Sequence, residues 1–337
     1  MRTLKNRLSG VIRTSNLVKI LFILSLTASV LISYLLNPES FERTWKGRVY
    51  YIFFLWLTSL KLILKWGKIY VKITKLKSTR FIIFCIASLL PIIYALAANF
   101  SGLNSIIVEL SPKHYGDDWW AKTMPTTIEY IVFTVLFSLI NVVAYGIRGL
   151  RVFLLPIALL GTVGSIFLID NLYPHGEFTP FQIFVPTTAA FAARILDLMG
   201  YQVEVKGQTY KTPVLRVRSS EGEASFGIAW PCSGIDSLII YSAVTILFLE
   251  DEAVSWKRKA AYFLIGALVA YFINVLRIAE IFILAVKYGV TSLEVQRFHD
   301  YYGPLYSLTW IIFYQLIIIG VQSLQKKISS KATTKDL

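Results

Sequence analysis

The chain has 337 residues, 55% of them hydrophobic and only 16% charged, with a formal net charge of +14. That composition is too apolar for an ordinary soluble domain of this length and places the chain in a membrane. The basic excess is accounted for by membrane orientation and by attraction to an anionic inner leaflet, so no nucleic acid is expected as a partner.

A hydrocarbon core about 30 Å thick needs roughly 20 apolar residues per helix. Runs of about that length occur at 17–36, 49–64, 81–98, 128–147, 152–169, 235–249, 260–287 and 304–321, the second and sixth being short. A basic stretch precedes the first run, but no small-residue cleavage pattern follows Leu36, so a retained anchor is expected. With the amino terminus in the cytoplasm, every inside segment is basic. These segments hold Arg2, Lys5, Arg7 and Arg13, the six Lys/Arg from Lys65 to Arg80, Arg148 and Arg151, Lys257-Arg258-Lys259, and the tail after Val321. The expected fold is an all-α polytopic membrane protein of about eight transmembrane helices, with both termini cytoplasmic. Residues 1–80 form two helices and a basic loop, 81–321 the membrane domain that carries the chemistry, and 322–337 a basic cytoplasmic tail.

Two outside segments are sizeable. The stretch 99–127 contains His114, Asp117, Asp118, Trp119 and Trp120. Adjacent tryptophans there read as interfacial anchors, and His114, like His175 further on, as a solvated loop histidine. The extracytoplasmic segment 170–231 has helix-like apolar spacing over 188–200, ending at Gly200. The pattern then alternates, with Tyr201, Val203 and Val205 facing one way, and further extended stretches begin after Pro213 and at Ser225. A small β element lying over the outer surface before helix six is expected to deliver Cys232 and shape a groove; a passive loop is the alternative.

Only two cysteines are present, Cys85 inside a helix and Cys232 at a helix start. No disulfide, CxxC motif or metal-ligand spacing is expected, and no metal or cofactor. Cys232 stands in Trp230-Pro231-Cys232-Ser233-Gly234-Ile235, just before a helix whose first turn presents free N–H groups and partial positive charge. Such a position favours a thiolate, and Ser233 and Gly234 leave room for a substrate backbone. The bland alternative is a small buried cysteine.

Arg277 lies about 26 Å along its helix from Ala260, close to the outer edge of the hydrocarbon. An arginine there costs about 2.5 kcal/mol or more unless paired or facing polar space, which marks it as functional. Asn274 and Glu280 share its face; Asn274 would hold the guanidinium or the substrate, and Glu280 would be a counter-ion. The bland alternative is a helix-tying ion pair of Arg277 with Glu280. His299, in Phe298-His299-Asp300 before the last helix, is the leading general base.

Cys232-Ser233-Gly234 opening one helix, Asn274-x-x-Arg277-Ile278 in the next and His299 before a final helix resemble, in that order, the exosortase/archaeosortase family of membrane transpeptidases. The resemblance is sharp from Trp230 to Gly303, and no motif supports it in the first two helices. It implies that Cys232, Arg277 and His299 are catalytic, with Arg297 the alternative for the third position. It also implies substrates: secreted proteins ending in a short motif, a transmembrane helix and a basic tail. The new carboxyl end would pass through a thioester to a membrane lipid or other amine. Asp236 and Trp230-Pro231 depart from the bacterial pattern.

Two rival functions share the composition. A cysteine-dependent intramembrane protease or acyltransferase without sorting would carry the same three residues, and its products would distinguish it. A transporter would need broken or charged midplane helices in symmetric halves, which the sequence does not display.

Overall fold

A computed structural model describes residues 2–112, 119–174, 177–178, 182–209, 212–250 and 252–333. His114, Asp117, Asp118 and His175 lie outside the described residues. The chain divides into two compact units, Met1–Pro174 and His175–Leu337.

The first unit holds α1 (Arg2–Leu36), α2 (Val49–Leu64), α3 (Thr79–Phe100), α4 (Leu103–Leu110), α5 (Trp119–Tyr145), α6 (Ile147–Val152) and α7 (Leu154–Leu172). Ser78 caps α3 by accepting the Phe81 N–H at 3.3 Å. Glycine at positive φ separates α5 from α6, where Gly146 sits at φ 75°. Phe22, Phe137, Tyr145 and Phe153 form a buried aromatic cluster, and Tyr51 stacks on Tyr130 with ring centroids 4.5 Å apart.

Among the described residues of this unit, two ion pairs are buried. Arg48 Nε donates to both Glu129 carboxylate oxygens at 3.1 Å, and its Nη1 donates to Ser40 Oγ at 2.9 Å. The Lys46 ammonium pairs with Asp170 and donates to Asn171, lying 4.4 Å from the centre of the Trp119 ring. Burial pushes Lys46 down to about 8, with Asp170 opposing the shift. Trp119, expected as an interfacial anchor, thus also covers a lysine.

The second unit starts with α8 (Phe184–Leu198). Gly200, at φ 91°, ends it, and the Tyr201 N–H returns to the Leu196 carbonyl at 3.0 Å. Three antiparallel strands follow, β1 (Gln202–Thr209), β2 (Thr212–Ser219) and β3 (Gly222–Gly227), in spatial order β1-β2-β3. Leu215, Val217 and Ala224 are buried on the face that meets α8 and α10 (Trp256–Tyr288), whereas Arg216, Arg218, Glu204 and Glu223 form ion pairs on the other. The remaining elements are α9 (Ile235–Glu250), α11 (Leu293–Arg297), a π turn at Phe298–Tyr302 and α12 (Gly303–Thr333). α9, α10 and α12 pack around Tyr241, Ala270, Ile311, Tyr314 and Ile318. Gly266 permits this approach: a Cβ there would collide with the Tyr241 hydroxyl and the Tyr314 ring.

All eight apolar runs fall on helices. Among the described residues six helices are long and apolar enough to cross a membrane, and α2 and α9 are shorter apolar helices of 16 residues each. At 1.5 Å per residue these two reach about 24 Å, less than a 30 Å hydrocarbon core. The chain is therefore a multi-pass membrane protein with a three-stranded sheet before α9, as the alternation predicted. The short α4, α6 and α11, of 8, 6 and 5 residues, are too brief to stand out as long apolar runs.

Removing one partner of the Arg48–Glu129 pair strands a buried charge, which costs about 3–5 kcal/mol. Glu129→Ala should therefore lower the detergent unfolding midpoint markedly, and adding Arg48→Met should recover much of the loss, both read by thermal denaturation.

Candidate active site

Three segments of the second unit converge. The first is the link from β3 to α9. Ile228 donates its N–H to the Pro213 carbonyl at 2.9 Å, and the chain then turns through a 3₁₀ segment, Trp230–Ser233. Pro231 suits the start of that turn because its φ is preset and its missing N–H would lack a partner there anyway. The Cys232 N–H reaches the Ala229 carbonyl at 3.0 Å and Ser233 Oγ donates to the Trp230 carbonyl at 2.6 Å, closing the turn. Ser233 is thus a buried structural support, while Cys232 remains half-buried.

Gly234 then reverses the chain at φ 96°, where an L side chain is strained. Its missing side chain has a second use. A Cβ at Gly234 would lie 3.0 Å from both Cβ and Cγ of Asn274, so glycine lets α10 come close to the cysteine turn. Asn274, buried in α10, uses that proximity to donate from Nδ2 to the Cys232 carbonyl at 2.8 Å.

Arg277 follows one helical turn after Asn274. Its Nη2 donates to the His299 carbonyl at 2.8 Å. The contact depends on Gly303, since a Cβ there would stand 2.5 Å from Arg277 Nε and 2.8 Å from its Cδ. Here glycine is required for space, not for conformation, because Gly303 is helical with φ −59°. Among the described residues Glu280, half-buried on the same helix, makes no ion pair with Arg277.

His299 sits in the widened π turn that leads into α12, with Phe298 buried beside it. The Cys232 side chain and the Arg277 guanidinium are both close enough to the imidazole to act on it electrostatically. Nδ1 lies 2.7 Å from Asp300 Oδ1, which leaves Nε2 as the nitrogen available to the thiol. Asp300 is 70% exposed, so water screens its hold on the ring. Arg297, the other residue considered for this position, is exposed at the end of α11.

The structure thus gathers Cys232, Ser233, Gly234, Asn274, Arg277 and His299 at one place, joining a thiol, a proton carrier and a guanidinium. Cys85 lies half-buried in α3, in the other unit. Sequence reasoning missed Asp300 and Gly303. The His-Asp neighbourhood was visible in the sequence, but the need for Gly303 was not, because it arises from the closeness of α10 and α12.

A multi-pass helical membrane protein with a cysteine just before one helix, an arginine within the next and a histidine just before a third, gathered at one place, is the class these features define. The family of transmembrane exosortases (Exosortase_EpsH) matches residues 45–315, and the chain belongs to it. The match covers every site residue and extends back to include α2, where no motif had supported the resemblance. No curated protein sequence and no solved structure matched the chain.

The two kinds of glycine make different predictions. Gly234→Ala should destabilise the protein by about 1–3 kcal/mol, from backbone strain and crowding of Asn274. Gly320→Ala, with nothing within 4 Å of the added Cβ, should be neutral or stabilising by about 0.5–1 kcal/mol. Denaturation midpoints in one detergent compare them directly.

Proposed function

We propose that this exosortase-family protein is a cysteine-dependent transpeptidase acting on secreted proteins that end in a motif, a transmembrane helix and a basic tail. The observation that supports this most is the meeting of the Cys232 thiol with the His299 imidazole beside Arg277, from segments far apart in sequence.

In this reading His299 Nε2 takes the thiol proton as sulfur attacks the scissile carbonyl, and the oxygen gains negative charge. Arg277 stabilises that oxyanion, held in place by its bond to the His299 carbonyl. When the tetrahedral intermediate collapses, the C–N bond breaks and His299 returns its proton to the departing amine. That amine belongs to the released helix and tail. The substrate's new carboxyl end stays on Cys232 as a thioester. An incoming lipid amine or water then gives up a proton to His299, attacks the thioester carbonyl and restores the thiol. Asn274 is a positioning residue in this scheme, because it holds the Cys232 backbone and not the sulfur.

In this reading the basic loops are cytoplasmic, both termini lie in the cytoplasm, and the site lies at the extracytoplasmic surface of the cell membrane. Tags at either terminus should then be protected from outside reagents in intact cells, while the 182–209 segment is accessible. Exposure of a terminal tag would contradict the orientation.

The roles separate by mutation. Cys232→Ala should abolish cleavage while Cys85→Ala keeps most of it. Arg277→Lys retains charge but loses the planar fork, and a drop of about 100- to 1000-fold is expected. For His299→Ala the expected loss is roughly 100- to 10,000-fold. Cleavage per folded enzyme is the measurement, and losses that track protein amount alone would make these residues structural.

A further inference from the structure

We propose that the free edge of β3 receives the substrate as an added strand and leads it to Cys232, an inference that rests on the transpeptidase reading above. β2 and β3 are joined by a two-residue turn, with Ser219 opposite Gly222, Val217 opposite Ala224 and Leu215 opposite Phe226. In such a hairpin the pair flanking the turn exchanges backbone hydrogen bonds, and every second pair repeats this. The bond from the Ile228 N–H to the Pro213 carbonyl continues the same parity. The N–H and C=O groups of Glu223, Ser225 and Gly227 therefore point away from β2. Among the described residues they meet no backbone partner.

The other edge of the sheet is blunted. β1 carries a register shift between Lys206 and Gln208, and Glu204 and Lys206 are exposed along it, features that discourage strand addition. β3 has no such shift. Its one charged residue, Glu223, is tied to Arg216 and Arg218 on the sheet face away from the helices. Regular, short and open, β3 is the edge suited to main-chain recognition.

Its direction identifies the occupant. Gly222 lies against the Val286 carbonyl, the Phe226 ring lies 5.1 Å from that of Phe282, and the Cys232 carbonyl is held by Asn274. β3 and the turn after it thus run down α10 over about 18 Å, at 1.5 Å per residue, and end at the thiol. A sorting signal has its secreted body outside and its carboxyl-terminal helix in the membrane, so its chain descends in the same sense. The occupant is the extended stretch just before the scissile bond, lying parallel to β3. Main-chain pairing holds it whatever its side chains, and selection of the motif falls to groups nearer Cys232.

Ser225 provides the test. Its side chain is exposed and its pairing with Arg216 is of the type that exchanges no hydrogen bonds, so proline removes an edge donor while sparing every bond to β2. Full-length enzyme reconstituted in liposomes would be assayed with a reporter ending in a motif, helix and basic tail taken from the same genome. Ser225→Pro should lower kcat/KM by about tenfold, mostly through KM, the loss expected for one or two backbone hydrogen bonds. Ser225→Thr should match the unmodified enzyme. Alkylation of Cys232 by iodoacetamide should be alike in all three. A photo-crosslinker placed in the reporter just before the scissile bond should label the β3 peptide. Cys232-dependent cleavage with an unchanged KM in Ser225→Pro, or labelling elsewhere, overturns the edge-strand proposal alone. Should alkylation show that Ser225→Pro has disturbed the site, the crosslink in unmodified enzyme decides. Absence of any Cys232-dependent cleavage overturns the transpeptidase reading and this proposal with it.

Discussion

The hydrogen bond from Asn274 to the Cys232 carbonyl ties a turn built by one part of the chain to a helix built by another. Gly234 makes that bond possible by leaving no side chain between them. Once Asn274 is fixed on the cysteine turn, helical periodicity puts Arg277 on the same side one turn later. Arg277 in turn grips the His299 carbonyl across a space kept open by Gly303. Three reactive side chains are thus assembled from two short contacts and two missing Cβ atoms.

The membrane explains why so much polar positioning is done by the backbone. In a low-dielectric surrounding, an unsatisfied carbonyl or guanidinium is costly, so polar groups find partners within the protein. Arg277 donates to a main-chain carbonyl, Ser233 to another and Asn274 to a third. The same economy governs the first unit, where Arg48 and Lys46 are buried against Glu129 and Asp170. Partnering these charges at short range leaves the long apolar helix faces for lipid.

What the sequence disclosed follows from the period of each signal. Long apolar runs marked the helices because a bilayer demands length, and the alternation after Gly200 marked the sheet because strands repeat every two residues. Cys232, Arg277 and His299 stood out because reactive or charged residues are scarce among apolar neighbours. By contrast, Gly303 and Asp300 gained meaning only from a contact or hydrogen bond in three dimensions. Glu280 illustrates the converse: spacing placed it on the face of Arg277, yet the guanidinium bonds to a carbonyl of another segment. The π turn carrying His299 was likewise invisible, since one widened turn leaves no periodic trace.

In the proposed reaction Cys232 is acylated by the substrate. The most direct measurement is intact-mass analysis of the enzyme after mixing with a sorting-signal reporter in the absence of an amine acceptor. The expected product is an adduct with the mass of the reporter lacking its helix and tail, located on Cys232 and released by hydroxylamine. Continued cleavage with no adduct on Cys232, or the same adduct formed by Cys232→Ala, would contradict it.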